Sequence, residues 1–152
     1  MKKDNEGIWG IQITDIYNKE KRSDIMSRIR GRETKPEELV RKFLFSKGFR
    51  YRINDKRYLG KPDIVIPKYR AIIFIHGCFW HGHENCKASK LPETNTDFWK
   101  NKISDNKARD QKNIEKLRNE GWNVILIWQC EIKNKTNREK RMELLLGEIL
   151  GK

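Results

Sequence analysis

The segment "CFWHGHENC", residues 78–86, holds two of the chain's three cysteines and two of its three histidines, and the third histidine, His76, lies just ahead of it. The last cysteine, Cys130, ends an apolar run much further along, "VILIWQC". Cys78, His83, Cys86 and Cys130 together form a Cys₃His set, one of the closed tetrahedral types that hold structural Zn²⁺. The constraint on the fold is topological: the strand that ends near Cys130 has to return beside the 78–86 loop. Three cysteines cannot close a disulfide framework, so metal binding or plain burial in a reducing compartment is the better reading. Three buried cysteines beside a surface histidine is the bland alternative, and it leaves their clustering with histidine unexplained.

The elements around this loop follow from periodicity and punctuation. Residues 1–20 show no sustained period and read as an arm, and "KEKRSDIMSRIRGR" after them is basic with scattered apolar residues. "TKPEELVRKFLFSKG" carries helix signals: Thr34 as N-cap, Pro36 in the first turn, Leu39, Val40, Phe43 and Leu44 on one face, and Gly48 past the end. "FRYRI" predicts a short strand, and "LGKPDIVIPKYRAIIFIHG" predicts two strands joined by a tight turn at Pro67 to Arg70. "DFWKNKISDNKARDQKNIEKLRNEG" predicts a long helix, "WNVILIWQC" a buried strand and "REKRMELLLGEIL" an amphipathic helix. The order helix, three strands, helix, strand, helix is that of an α/β sandwich.

The chain's 152 residues suit one domain, expected over 21–152 after the arm. Its 34 Lys and Arg against 21 Asp and Glu leave a formal charge of +13, the footprint of a polyanion binder, and nucleic acid is the first partner to consider. No apolar run is long enough for a signal peptide or a membrane span, so a cytoplasmic location without membrane contact is expected.

Two further groups carry chemistry. With the turn centred near Tyr69, Asp63 falls opposite Ile75, give or take one residue, which sets its carboxylate beside the Ile75 backbone carbonyl. That is half of a Mg²⁺ site, since this ion takes oxygen ligands and completes its shell with water and substrate phosphate. "GKPD" as a mere turn is the competing reading. His76 and His81, left over from the zinc set, flank Phe79 and Trp80 on the same loop. An ordinary imidazole titrates near pH ~6.5 and can move protons; one buried, hydrogen-bonded histidine beside one exposed is the alternative.

"RSDIMSRIRGRETKPE", "GKPDIVIP", "IIFIHGCFWHGH", "TDFWKNKISDNKARD" and "GWNVILIWQCE" together resemble the very-short-patch-repair (Vsr) mismatch endonucleases, over residues 21 to about 132 and in the same order. The resemblance implies a restriction-endonuclease-like fold, a three-layer sandwich with a central mixed sheet, and a structural zinc. It also implies Mg²⁺-dependent nicking of double-stranded DNA on the 5′ side of the thymine in a T:G mismatch left by deamination of 5-methylcytosine. The enzyme is then expected to be monomeric and to meet the nucleoid during repair.

Carried over by position, the resemblance makes Asp63 the metal-binding carboxylate, with the Ile75 carbonyl as a second ligand. It makes His81 the general base for the attacking water, His76 a second active-site histidine and Asp110 the acid that orients His81. Glu37 matches an acidic residue near the active site, although Thr34 and Glu37 also satisfy a capping box. Phe79 and Trp80 match a wedge that stacks into the duplex, with Met26 entering from the other groove. Arg28, Arg30 and Arg32 are candidate phosphate or groove contacts; a solvated basic face would look the same. Related nucleases place a second acid and a lysine on the strand after the aspartate, where this chain has Phe74 and His76, so an acid–lysine mechanism is closed to it. The Glu84-Asn85 pair makes the zinc loop one residue longer than its shortest form. A restriction-type enzyme cutting both strands and a non-catalytic zinc-stapled DNA-binding module are the alternatives.

Overall fold

The computed structural model describes residues 35–151. The expected arm, the basic segment with Met26, Arg28, Arg30 and Arg32, and the Thr34 cap lie outside the described residues. Helix α1 is Lys35–Ser46. Strands β1 (Arg52–Ile53), β2 (Ile64–Ile66) and β3 (Ala71–His76) follow, then the long helix α2 (Thr96–Asn119). Strand β4 (Asn123–Trp128), the short helix α3 (Gln129–Lys133) and helix α4 (Lys135–Leu150) complete the described part.

The four strands form one mixed sheet in the order β1-β2-β3-β4. The first two pairings are antiparallel and β3 runs parallel to β4, so α2 is the crossover between them. Alternation along the strands feeds two cores. Ile64, Ile66, Ile73, Ile125 and Ile127 face Val40 and Leu44 of α1 together with Ile132, Met142 and Leu145 of α3 and α4. Val65, Ile72, Phe74 and Val124 face Ile114 and Leu117 of α2. Helices therefore cover both faces, as the order of predicted elements requires. Truncating a fully buried residue such as Ile127 is expected to cost about 2–5 kcal/mol.

Local chemistry sets the element ends. Pro67–Tyr69 forms a single 3₁₀ turn, and Arg70 adopts a left-handed conformation (φ 50°). The Arg70 guanidinium lies over the Trp122 ring at 4.6 Å and donates to the Glu120 carbonyl, tying the hairpin turn to the end of α2. The "FRYRI" strand shortens to two residues because Asn54 turns the chain with φ 47°. The strand predicted through Cys130 stops at Trp128, whose N–H is taken by the Glu131 carboxylate at 2.8 Å, and Cys130 sits instead in the first turn of α3. The return of this end to the 78–86 loop is nevertheless achieved, because His76 pairs with Trp128 at the last rung of the β3–β4 ladder. No helix among the described residues is long and apolar enough to cross a membrane.

Candidate active site and metal cluster

The loop that leaves β3 is folded tightly against α2. His81 N–H donates to the Gly77 carbonyl and His83 N–H to the Cys78 carbonyl at 2.9 Å, while the Ser89 hydroxyl bonds to the carbonyls of His83 and Cys86. Gly82 has φ +61°, and a Cβ there would lie 2.7 Å from Ile103 and Lys107 of α2. Only glycine fits both the conformation and the gap. The residues on either side of it, His81 and His83, consequently point into different sites.

One site is the predicted soft set. A ligand atom from each of Cys78, His83, Cys86 and Cys130 lies within 4.8 Å of the others, and the His83 Nδ1 is 3.4 Å from the Cys130 sulfur. Burial pushes the thiols of Cys78 and Cys130 above the ordinary cysteine value; the Cys86 charge works in the same direction on both, while hydrogen bonds between Cys78 and Cys130 offset part of the rise. Thiols this crowded cannot ionise together without a cation between them, and three sulfurs with one imidazole are the donors a tetrahedral Zn²⁺ takes. The residues fit that metal.

The second site begins where β2 starts. Asp63 Oδ2 accepts the Ile75 N–H at 2.7 Å, so the backbone group this carboxylate grips is the amide of Ile75. The β2–β3 register sets Ile64 against Ile73, within the one-residue tolerance of the sequence reading. Glu37, reaching across from α1, is only 5% exposed and shares a hydrogen bond with Asp63. Burial and then the Glu37 charge push the Asp63 carboxyl up to about 8. Two carboxyl groups held together away from water are a standing demand for a proton or a hard cation. Whatever cap it provides, the Glu37 side chain is directed at Asp63.

The third group is a histidine pair. His76 is 5% exposed and lies face to face with His81, ring centres 3.9 Å apart and planes 6° apart. His76 Nδ1 is buried without a hydrogen-bond partner, and burial followed by the nearby His81 charge lowers its pKa to about 3. His81 Nδ1 lies 2.5 Å from Asp110 Oδ2. Burial alone would raise the Asp110 carboxyl, but the hydrogen bond from His81 and the electrostatic influence of the neighbouring basic groups hold it below the ordinary range. An ionised carboxylate can only accept, so Nδ1 is the donor in this pair, and in the neutral ring that arrangement leaves the Nε2 lone pair free.

The aromatic pair divides. Phe79 is 3% exposed whereas Trp80 is half-buried, and both rings pack edge-on against Trp99 of α2, which in turn meets the exposed Phe98. Asn106 donates to the Trp80 carbonyl at 2.9 Å and accepts from Arg109. Trp99, Ile103, Asn106 and Asp110 recur at helical spacing on one face of α2, a signal legible in the sequence and not used there. Trp128 stacks on His83 at 4.1 Å and presents an edge to His76, so one indole touches both the soft cluster and the histidine pair.

All of these groups lie at one end of the sheet. Residues 14–87 match the family described as DNA mismatch endonuclease Vsr. The DNA mismatch endonuclease Vsr of Escherichia coli K12 is 38% identical over 91% of this chain and 86% of its own. The chain belongs to the Vsr mismatch endonuclease family. The chain is also similar to a type II nicking enzyme of Neisseria meningitidis serogroup A, 55% identical over 90% of this chain and 97% of its own. A type II nicking enzyme of Xanthomonas oryzae is 42% identical over 88% of this chain and 98% of its own. Membership in the Vsr family gives this chain the character of a nuclease that acts on DNA, in keeping with its charge of +13.

Proposed function

We propose that this protein is a Mg²⁺-dependent nicking endonuclease that cuts one DNA strand on the 5′ side of the thymine in a T:G mismatch. The observation that carries the reading is the adjacency of two groups through consecutive residues of β3. Ile75 gives its N–H to the carboxylate paired with Glu37, and His76 stacks on the histidine that Asp110 orients. A carboxylate cation site beside an oriented general base is what phosphodiester hydrolysis needs. The restriction-endonuclease-like arrangement of one nuclease domain, working as a monomer, fits a mixed sheet with helices on both faces.

Asp63 and Glu37, with the Ile75 carbonyl, would hold Mg²⁺, which supplies charge stabilisation to the phosphate and the leaving oxygen when bound. His81 takes the proton of the attacking water on its bare Nε2, and Asp110 steadies the imidazolium that results. His76 keeps water from one face of His81 by stacking on it, and burial keeps His76 itself uncharged. Cys78, His83, Cys86 and Cys130 would hold Zn²⁺ and so fix the loop that presents Trp80. Trp80, half-buried and backed by Phe79 and Trp99, is the tip of a wedge that enters where pairing is already weak, since unstacking costs least there. Met26 and the Arg28, Arg30 and Arg32 side chains complete the contact from the basic segment.

The test is a panel of duplexes that differ only at one base pair, incubated with Mg²⁺. A single nick 5′ of the thymine in the T:G duplex, with T:A spared, is expected. Cutting of both strands, or equal nicking of T:A, contradicts the reading.

A further inference from the structure

The histidine that stacks on His81 is held by rings. His76 is 5% exposed and its Nδ1 has no hydrogen-bond partner among the described residues, so nothing at that nitrogen sets the tilt of the imidazole. Its plane is set by its neighbours: His81 face to face at 3.9 Å, Trp128 at 5.2 Å and 76°, and Phe74 at 5.9 Å and 52°. Of these, Trp128 also meets the cysteine cluster. Its indole lies parallel to the His83 ring, centres 4.1 Å apart and planes 8° apart, and His83 Nδ1 faces the Cys130 sulfur at 3.4 Å. A series of rings thus runs from the cluster through His83, Trp128 and His76 to His81 and its partner Asp110.

Trp128 is half-buried and outside both cores, so packing of the sheet does not account for the indole. The backbone beneath it is fixed independently. Trp128 closes the β3–β4 ladder opposite His76, its N–H is taken by Glu131, and the buried Arg141 donates to both Glu131 and the Leu126 carbonyl. Truncation at 128 therefore removes the ring without undoing the strand end. The bond from His81 Nδ1 to Asp110 fixes one point of that imidazole and leaves it free to turn about the bond; the stack on His76 removes this rotation.

We propose that Trp128 is a positioning residue for the general base: clamped on His83, it fixes the tilt of His76, and His76 holds the His81 ring at the angle that aims its free Nε2 at the attacking water. A cation on His83 draws charge from that ring and tightens its hold on the indole face, so the occupied cluster steadies the base as well as the loop. The effect on rate rests on the reading of His81 as the base.

The experiment compares zinc-loaded parent protein with Trp128→Leu and Trp128→Phe, each assayed for zinc content and T:G affinity. Trp128→Leu should keep both and nick about 10- to 100-fold more slowly at saturating DNA, the scale of a base misplaced by an ångström. Trp128→Phe, which keeps an aromatic face, should recover most of the rate. In a His76→Ala background, Trp128→Leu should slow nicking no further, because the restraint travels through that ring. Without DNA or Mg²⁺, the imidazole nitrogen resonances of His81 should move in Trp128→Leu and return toward parent values in Trp128→Phe. These resonances need no nicking, so they tell a failure of the proposed activity from a failure of the positioning. Equal rates in parent and Trp128→Leu, a full further loss in the double variant, unmoved His81 resonances, or zinc or mismatch affinity lost in step with the rate would each overturn the proposal and leave Trp128 as packing for the loop.

Discussion

The Cys₃His cluster and the Glu37–Asp63 pair pose the same electrostatic problem in two chemistries. Each crowds groups that cannot all carry charge without a cation: burial, with the Cys86 charge beside it, raises the thiols of Cys78 and Cys130, and burial with the Glu37 charge raises Asp63 to about 8. The cluster takes three of its four ligands from one loop pinned at Gly82, while the pair takes one carboxyl from α1 and the other from the start of β2. The soft site is thus tied to the loop that carries Trp80, and the hard site to the sheet and its helix. The proposed function assigns recognition to the first and chemistry to the second, and substitutions should divide them.

The largest effect is expected at His81. His81→Ala should lower the nicking rate by ~10²–10⁴-fold at unchanged DNA affinity, because in the proposed mechanism its Nε2 serves only the proton transfer. Single-turnover rates beside binding isotherms check this, and a fall in affinity that accounts for the lost rate would blur the division of labour. Trp80→Ala should do the opposite. Base–aromatic stacking is worth about 1–3 kcal/mol, so mismatch affinity should drop roughly ten- to a hundredfold while slow nicking persists at high enzyme concentration. Unchanged mismatch affinity would make Trp80 packing against Trp99 and nothing more.

A smaller effect sharpens the hard site. Asp63 is held protonated up to about 8, so in metal-free protein its contribution to stability is complete below the ordinary carboxyl value near ~4 and is lost as pH rises through about 8. In the proposed site Mg²⁺ has to displace that proton. Its affinity for the DNA-free protein should therefore climb about tenfold per pH unit up to pH ~8 and level off above. Calorimetric titrations at successive pH values would show it, and a flat profile from pH 6 to 8 would mean that Asp63 is already ionised.

The same contrast explains what the sequence disclosed. Cys78, His83 and Cys86 advertise themselves by spacing, and Cys130 by being the one cysteine left over, so the soft set was legible without a fold. The Asp63 register was legible because Pro67 to Arg70 fixes the turn and pairing across it is arithmetic. The Glu37–Asp63 hydrogen bond was not, since an N-terminal helix glutamate looks like a cap until α1 is laid across β2. Helix α3 was missed because the Glu131 carboxylate, rather than any Gly or Pro, ends β4 by binding the Trp128 N–H. Asn106 and Trp99 lay on a visible stripe of α2, yet only the folded loop shows that the Asn106 side chain holds the Trp80 carbonyl.

The division between the two regions is tested most directly by the binding of Asp63→Asn to T:G and T:A duplexes in Mg²⁺. This variant keeps the loop and its cysteine cluster intact and removes one charge from the hard site. The account predicts that it nicks neither duplex and prefers T:G by the same ratio as the parent protein. A preference that vanishes together with the nicking would contradict it, because recognition would then reside in the carboxylate pair as well.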